Sequence, residues 1–342
     1  MKIGIMTFWW SEDNYGQLLQ CYALQKYLRD QGHDPFLIRY DSRKDYVPTP
    51  LYWKLLKVLN PVKLAGYLSL KRRKYLSAKE YVVHNRQFSS FRDTYLKQSE
   101  WIYHSYDELK ANPPEADCYV VGSDQVWNFG NIPLRRVKKL IHAYFLDFGS
   151  DSVIRMAYAA SWGQEQIPDD FISEIVPLLK KFQKVSVREK SGINICRRCG
   201  YETAQWVCDP TMLVNAKVYR GIYQYNNVSV PQKPYVLFYY LDNGGKFDKK
   251  SVFQFAQERN LDVRYISANM NMDAYEKTYA TIPEWLCLVD NAKYIITNSF
   301  HCCVFSILFE KQFGVISLTG KYSGMNSRLQ SLFEMTDCGE RY

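Results

Sequence analysis

The sequence of 342 residues predicts an α/β protein of two doubly wound domains facing each other across a cleft. Two observations carry that expectation. Short apolar runs that end in Gly, Ser, Asn or Asp and lead into amphipathic stretches recur along the chain, the pattern of strands alternating with helices in βα units. A Tyr- and Asn-rich passage from Tyr219 to Pro234, with Pro231 and Pro234 and little apolar periodicity, splits the series in two, and the length suits two domains of about 150 residues each.

In the first series, strands are expected at Lys2–Thr7, Asp34–Tyr40, Cys118–Val121, Arg155–Ala159, Lys184–Val187 and Gln205–Cys208. Helices fall between them at Tyr15–Gln31 and Phe171–Lys181. The first of these spaces Leu18, Leu19, Tyr22, Leu24, Tyr27 and Leu28 at the helical period and stops at Gly32. The second series gives strands Tyr235–Leu241, Asp262–Ser267, Tyr294–Thr297 and Phe313–Ser317, with helices near Lys249–Asn260, Ile282–Asn291 and Cys302–Phe309. The expected division is residues 1–218, a linker at 219–234 and residues 235–342, the first domain carrying a basic amphipathic insertion at about 46–100.

Composition narrows the class. Hydrophobic residues make up 47% and charged residues 23% of the chain, which excludes disorder. Met1-Lys2 runs straight into the strand-like Ile3-Gly4-Ile5-Met6, and no apolar run approaches the roughly 18 residues of a membrane span, so a cytoplasmic protein is expected. Nine cysteines without a framework spacing agree with reduced thiols. The net charge of +9 is concentrated: from Tyr46 to Lys79 there is no acidic residue, while Lys54, Lys57, Lys63, Lys71, Arg72, Arg73, Lys74 and Lys79 supply eight positive charges. Interleaved with Trp53, Leu55, Tyr67, Leu68 and Leu70, they form the mixture found on helices that lie on anionic membranes, to be weighed against a merely solvated face broken by Pro61. Peripheral membrane contact through about 52–79 is one expectation. Nucleic acid is not, because no basic recognition motif accompanies the charge.

In parallel α/β sheets, ligands gather beyond the carboxyl ends of strands, and several turns there are rich in polar residues. Ser11 to Gln17 follows the first strand, where Asn14, Tyr15, Gly16 and Gln17 open a helix whose free N–H groups suit an anion; no glycine-rich dinucleotide loop occurs. Gly122-Ser123-Asp124-Gln125-Val126-Trp127-Asn128 follows Cys118–Val121, its Ser123, Asp124 and Trp127 suited to holding a sugar. Ser161-Trp162-Gly163 follows Tyr158-Ala159-Ala160. Arg188 ends an apolar strand, and its planar fork matches a carboxylate or phosphate, against the alternative of an internal ion pair with Glu189 or another acid. Asn298-Ser299-Phe300-His301 places an imidazole at a strand-to-helix turn, where it can act as general acid or base. Cys196-Arg197-Arg198-Cys199 has no second ligand pair for zinc. Cys302 beside His301 could be a nucleophile only with a further partner.

Taken in order, these turns resemble the polysaccharide pyruvyl transferase family, in the branch of bacterial capsule and exopolysaccharide loci. The resemblance rests on Asp13-Asn14-Tyr15-Gly16-Gln17-Leu18-Leu19-Gln20-Cys21-Tyr22-Ala23-Leu24-Gln25, Val121-Gly122-Ser123-Asp124-Gln125-Val126-Trp127-Asn128, Tyr158-Ala159-Ala160-Ser161-Trp162-Gly163, Ser186-Val187-Arg188-Glu189, Asp209-Pro210-Thr211 and Thr297-Asn298-Ser299-Phe300-His301, and it covers nearly the whole chain. It implies a glycosyltransferase-B-like fold of two Rossmann-like domains. It also implies transfer of a pyruvyl group from phosphoenolpyruvate, as co-substrate, onto two hydroxyls of a lipid-linked or growing glycan to give a cyclic ketal, with no metal or other cofactor. His301 matches the catalytic histidine and Arg188 the arginine near the donor, while Ser123, Asp124, Trp127, Ser161, Asn298 and Ser299 would contact substrates. Many members carry Arg two residues before the histidine where this chain has Ser299, so phosphate contacts must come from elsewhere, with Arg188, Lys311 or the helix N-terminus as candidates. A sugar-nucleotide glycosyltransferase of the same fold and a non-catalytic glycan- or membrane-binding protein are the rival readings.

Overall fold

The computed structural model describes residues 1–11, 13–47, 61–130, 132–241, 247–267, 273–319, 323–324 and 326–339. Two parallel sheets organise the chain. The first contains β1 (Lys2–Met6), β2 (Asp34–Tyr40), β3 (Gln98–Tyr103), β4 (Cys118–Val121), β5 (Ile154–Ala160), β6 (Lys184–Val187) and β7 (Gln205–Trp206) in the order β3-β2-β1-β4-β5-β6-β7. The second contains β8 (Tyr235–Tyr240), β9 (Asp262–Ser267), β10 (Tyr294–Thr297) and β11 (Phe313–Val315) in the order β11-β10-β8-β9. All six residues of β8 are buried, as a central strand covered by helices on both faces must be.

The helices are α1 (Tyr15–Asp30), α2 (Pro61–Val83), α3 (Phe88–Tyr95), α4 (Tyr106–Ala111), α5 (Leu134–Tyr144), α6 (Asp169–Leu179), α7 (Lys190–Arg198), α8 (Ala216–Tyr225), α9 (Lys250–Glu258), α10 (Ile282–Asn291), α11 (Phe300–Leu308) and α12 (Ser327–Thr336). One continuous core joins the sheets: Ile3 and Ile5 of β1, Leu18, Leu19, Cys21 and Tyr22 of α1, Trp285 and Leu286 of α10, Leu237 of β8 and Phe305 of α11. At its centre Tyr15 stacks on Trp285, centroids 5.0 Å apart, and donates its hydroxyl to Ala280 O at 2.7 Å.

The expected elements are present with two differences. β3 has no counterpart in the sequence reading, because only Ser99 and Tyr103 of its six residues are buried and edge strands carry weak apolar patterning. The linker expected at 219–234 begins inside α8, where Tyr219 is fully buried and Arg220 pairs with Asp290 at 2.8 Å; polar residues at the outer positions masked the helical period. Pro61 is the first described residue of α2; residues 48–60 of the basic stretch, on which the break expected at Pro61 depends, lie outside the described ones. Among the described residues no helix is long and apolar enough to cross a membrane.

Candidate active site

Each sheet has one point where strand order reverses, between β1 and β4 in the first and between β8 and β10 in the second. Connections leaving such a pair run to opposite faces and open a crevice at the carboxyl ends. The two crevices meet here. From the first sheet come α1, entered through Asn14, and the turn Gly122–Asp124. From the second comes the turn after β10, where Asn298 fixes the end of β8 by accepting from Leu241 N at 2.8 Å and donating to Leu241 O at 2.6 Å. Ser299 caps α11 by accepting from Cys302 N at 3.4 Å, which sets His301 in the first turn of that helix.

His301 is thereby pressed across the domain junction. A Cβ built on Gly16 would overlap its imidazole ring, so α1 approaches His301 by backbone alone. On its other side, Nε2 lies 3.5 Å from Asp209 Oδ2. The same Oδ2 accepts from Arg188 Nη1 at 2.9 Å and from the Ser123 hydroxyl at 2.9 Å, while Oδ1 accepts from Thr211 N at 3.0 Å and Thr211 Oγ1 at 2.7 Å. Burial would raise the Asp209 pKa, but His301 and Arg188 together hold it well below the usual carboxylate range. Asp209 is the ionised hub of the cluster.

Arg188 lies under the Phe300 ring, 4.3 Å from its centroid, with Nη2 3.6 Å from Asp124 Oδ1. Asp124 itself has φ +73°, a conformation that costs of order 1 kcal/mol and persists where the surroundings dictate it. Glu189 Oε1 accepts from Gly163 N at 3.1 Å and from the Ser161 hydroxyl. Arg328 of α12 is buried against the group; burial and then the like charge of Arg188 push its pKa down to about 10.

Within this cluster, Arg188 Nε, Asp124 Oδ2 and Glu189 Oε2 are buried and hydrogen-bonded to nothing, and Arg188 Nη2 and His301 Nε2 have only the ion-pair contacts at 3.6 and 3.5 Å. A buried polar atom left without a partner costs about 1–3 kcal/mol, and several in one crevice mark the place where a polar ligand completes the bonding.

The family model for polysaccharide pyruvyl transferases matches residues 14–319, a span that includes Gly16, Ser123, Arg188, Asp209 and His301. The chain belongs to the polysaccharide pyruvyl transferase family. It is thus a transferase of polysaccharide pyruvylation. No curated protein matches it in sequence. Among solved structures, the UDP-GlcNAc 2-epimerase of Neisseria meningitidis is 9% identical, with 99% of this chain and 92% of that one covered at a TM-score of 0.49. The enzyme of Methanocaldococcus jannaschii is 12% identical, covering 98% and 92% at 0.47.

In this pyruvyl transferase the sequence-derived candidates divide into three groups. His301, Arg188, Ser123, Asp124 and Gly16 converge on the cluster. Asn14 and Gln17 lie at the start of α1, and Ser161, Asn298 and Ser299 position the cluster through the bonds given above. Tyr15 and Trp127 do neither. Trp127 is fully buried, stacked on Phe145 with centroids 4.7 Å apart and donating Nε1–H to Tyr144 O at 3.0 Å, so no sugar ring can reach its face; Tyr15 is spent on Trp285. Lys311 is corrected as well: its ammonium donates to Asp290 O at 2.7 Å, beyond the opposite end of α11 from His301. Burial pushes the Cys302 thiol up to about 12, which removes it as a nucleophile at neutral pH.

Three residues were missed as site groups. Asp209 had a signal, standing directly after a strand-like run. Glu189 was visible only as an ion-pair partner for Arg188, a place Asp209 takes instead. Arg328 had none, because only the packing of α12 against α7 and α11 brings it to the cleft.

Proposed function

We propose that this protein transfers the pyruvyl group of phosphoenolpyruvate onto two hydroxyls of one sugar in a lipid-linked or growing polysaccharide, forming a cyclic ketal and releasing phosphate. The reading rests on the set of buried atoms without a hydrogen bond, which joins guanidinium donors, carboxylate acceptors and an imidazole nitrogen in one crevice. Phosphoenolpyruvate presents a carboxylate and a phosphate, the anions a guanidinium fork holds at two points. Arg188, with Arg328 behind it, is the natural donor site, and Arg328 takes over the charge that Ser299 does not carry.

The donor's methylene carbon gains a proton, and the first sugar hydroxyl adds to the oxocarbenium-like carbon with loss of its own proton. The C–O bond to phosphate then breaks, the second hydroxyl adds, and its proton leaves with the phosphate. No water is consumed and no electron changes hands. His301 Nε2 carries protons between hydroxyl and donor. Asp124 Oδ2 and Glu189 Oε2 accept from the acceptor's hydroxyls, and Asp209 keeps His301 and Arg188 in register.

The test is mass spectrometry of lipid-linked glycans incubated with the protein and phosphoenolpyruvate. The expected outcome is a gain of pyruvate minus water, lost in His301→Ala while the melting curve stays cooperative. A melting shift with nucleotide sugars but none with phosphoenolpyruvate would overturn the reading in favour of a glycosyltransferase. Full product formation by His301→Ala would remove His301 from the chemistry.

A further inference from the structure

Helix α2 is exposed along most of its length. Its body-facing positions are Arg73, Leu76, Ser77, Glu80 and Tyr81, all partly covered, spaced three and one residues apart as one helical face requires. The base of the helix is fixed to the second domain near the carboxyl ends of its strands. Glu80 pairs with Lys277 at 2.8 Å and accepts from the Tyr279 hydroxyl, His84 stacks on Tyr279 with centroids 4.0 Å apart, and Arg86 donates to Ser267 O at 2.8 Å. From Ala65 to Arg72, by contrast, every residue is exposed.

The opposite face breaks the usual pattern. Leu68, Lys71, Tyr75, Ala78 and Val82 alternate at spacings of three and four, a single stripe along the helix. It points away from the body: Leu68 is 56%, Tyr75 70% and Val82 78% exposed. A surface helix of a globular protein turns such a stripe inward. Tyr67 beside it is half exposed, and Lys71 Nζ lies 5.0 Å from its ring centroid. Lys74 flanks the stripe on one side, Arg72 and Lys79 on the other, all exposed.

We propose that α2 is a membrane-docking element that lies on an anionic lipid bilayer with this stripe at the headgroup boundary. The charges decide the occupant. Apolar side chains centred between basic ones match a surface whose interior is apolar and whose headgroups are negative. A second copy docked through the same stripe would set Lys71, Lys74 and Lys79 against their equivalents, with only Glu80 on the body side to offset them. Since the base of α2 grips the edge of the cleft, docking also fixes the cleft close to the bilayer surface.

The full chain should sediment with phosphatidylcholine–phosphatidylglycerol vesicles and not with phosphatidylcholine alone, and less as salt is raised. Each of Lys71→Gln, Lys74→Gln and Lys79→Gln should weaken partitioning about fivefold. Leu68→Asp with Tyr75→Asp should abolish it without moving the melting temperature, the two side chains being already exposed. Failure to sediment with anionic vesicles, equal binding to neutral ones, or binding unchanged in the triple lysine variant would overturn the proposal. So would a dimer in sedimentation velocity that the Leu68→Asp, Tyr75→Asp variant dissolves. None of these outcomes depends on the donor, so pyruvyl transfer to a soluble acceptor can stand or fall separately.

Discussion

Gly16 is the residue on which the catalytic geometry turns. In the first turn of α1, glycine costs about 1 kcal/mol relative to alanine, so Gly16→Ala would stabilise an isolated helix. Here the added methyl meets the imidazole of His301. We expect Gly16→Ala to lower kcat more than tenfold while leaving the fold intact. In wild type the change should also lower the denaturant midpoint, and in a His301→Gly background, where both the ring and the Cβ at 2.6 Å are gone, that loss should vanish. Equal effects in both backgrounds would place the damage elsewhere. The candidate site was legible in the sequence where a side chain follows a strand, as with His301, Arg188, Ser123 and Asp124. It misled at Trp127, because an aromatic next to a polar turn reads alike whether it faces a ligand or fills the core.

At the scale of the element, helix starts do the positioning. Ser299 caps α11 by accepting from Cys302 N, so the serine serves the helix that presents His301. Helix α10, whose Trp285 stacks on Tyr15, begins with a full capping box: the Thr281 hydroxyl accepts from Glu284 N at 3.4 Å and Glu284 accepts from Thr281 N at 2.7 Å. Thr281→Ala should lower stability by about 1 kcal/mol in urea unfolding, and Glu284→Ala by less, since the side-chain cap survives it. Equal stability of wild type and Thr281→Ala would mean that tertiary packing alone holds α10. Most strands were legible to within a residue because buried parallel strands are continuous apolar runs. β3 was not, because an edge strand is half solvated.

For the whole molecule, buried carboxylates set the response to acid. Asp209 is held low by His301 and Arg188. Far from the site, Asp147 is likewise held low against its burial by Lys181, His142, Tyr106 and Lys110. A carboxylate whose folded pKa lies below its unfolded value contributes stability that is complete above the unfolded value, near 4, and lost as pH falls toward the folded one. Unfolding free energy should therefore be level from pH 7 to about 5 and decline below it. Asp147→Asn should be less stable at pH 7 and shallower in its acid decline; an unchanged slope would show that the Asp147 cluster is as well formed in the unfolded chain. By itself the sequence determined the βα alternation, two sheets, the motifs at their carboxyl ends and the basic stretch, all of which are local patterns in residue order. The tertiary structure decided that Asp209, between Arg188 and His301, is the hub, that Arg328 joins it, that Trp127 belongs to the core, and that the apolar stripe of α2 faces outward. Those facts depend on which faces of distant segments meet, and residue order does not encode a meeting between positions as far apart as 16, 209 and 301.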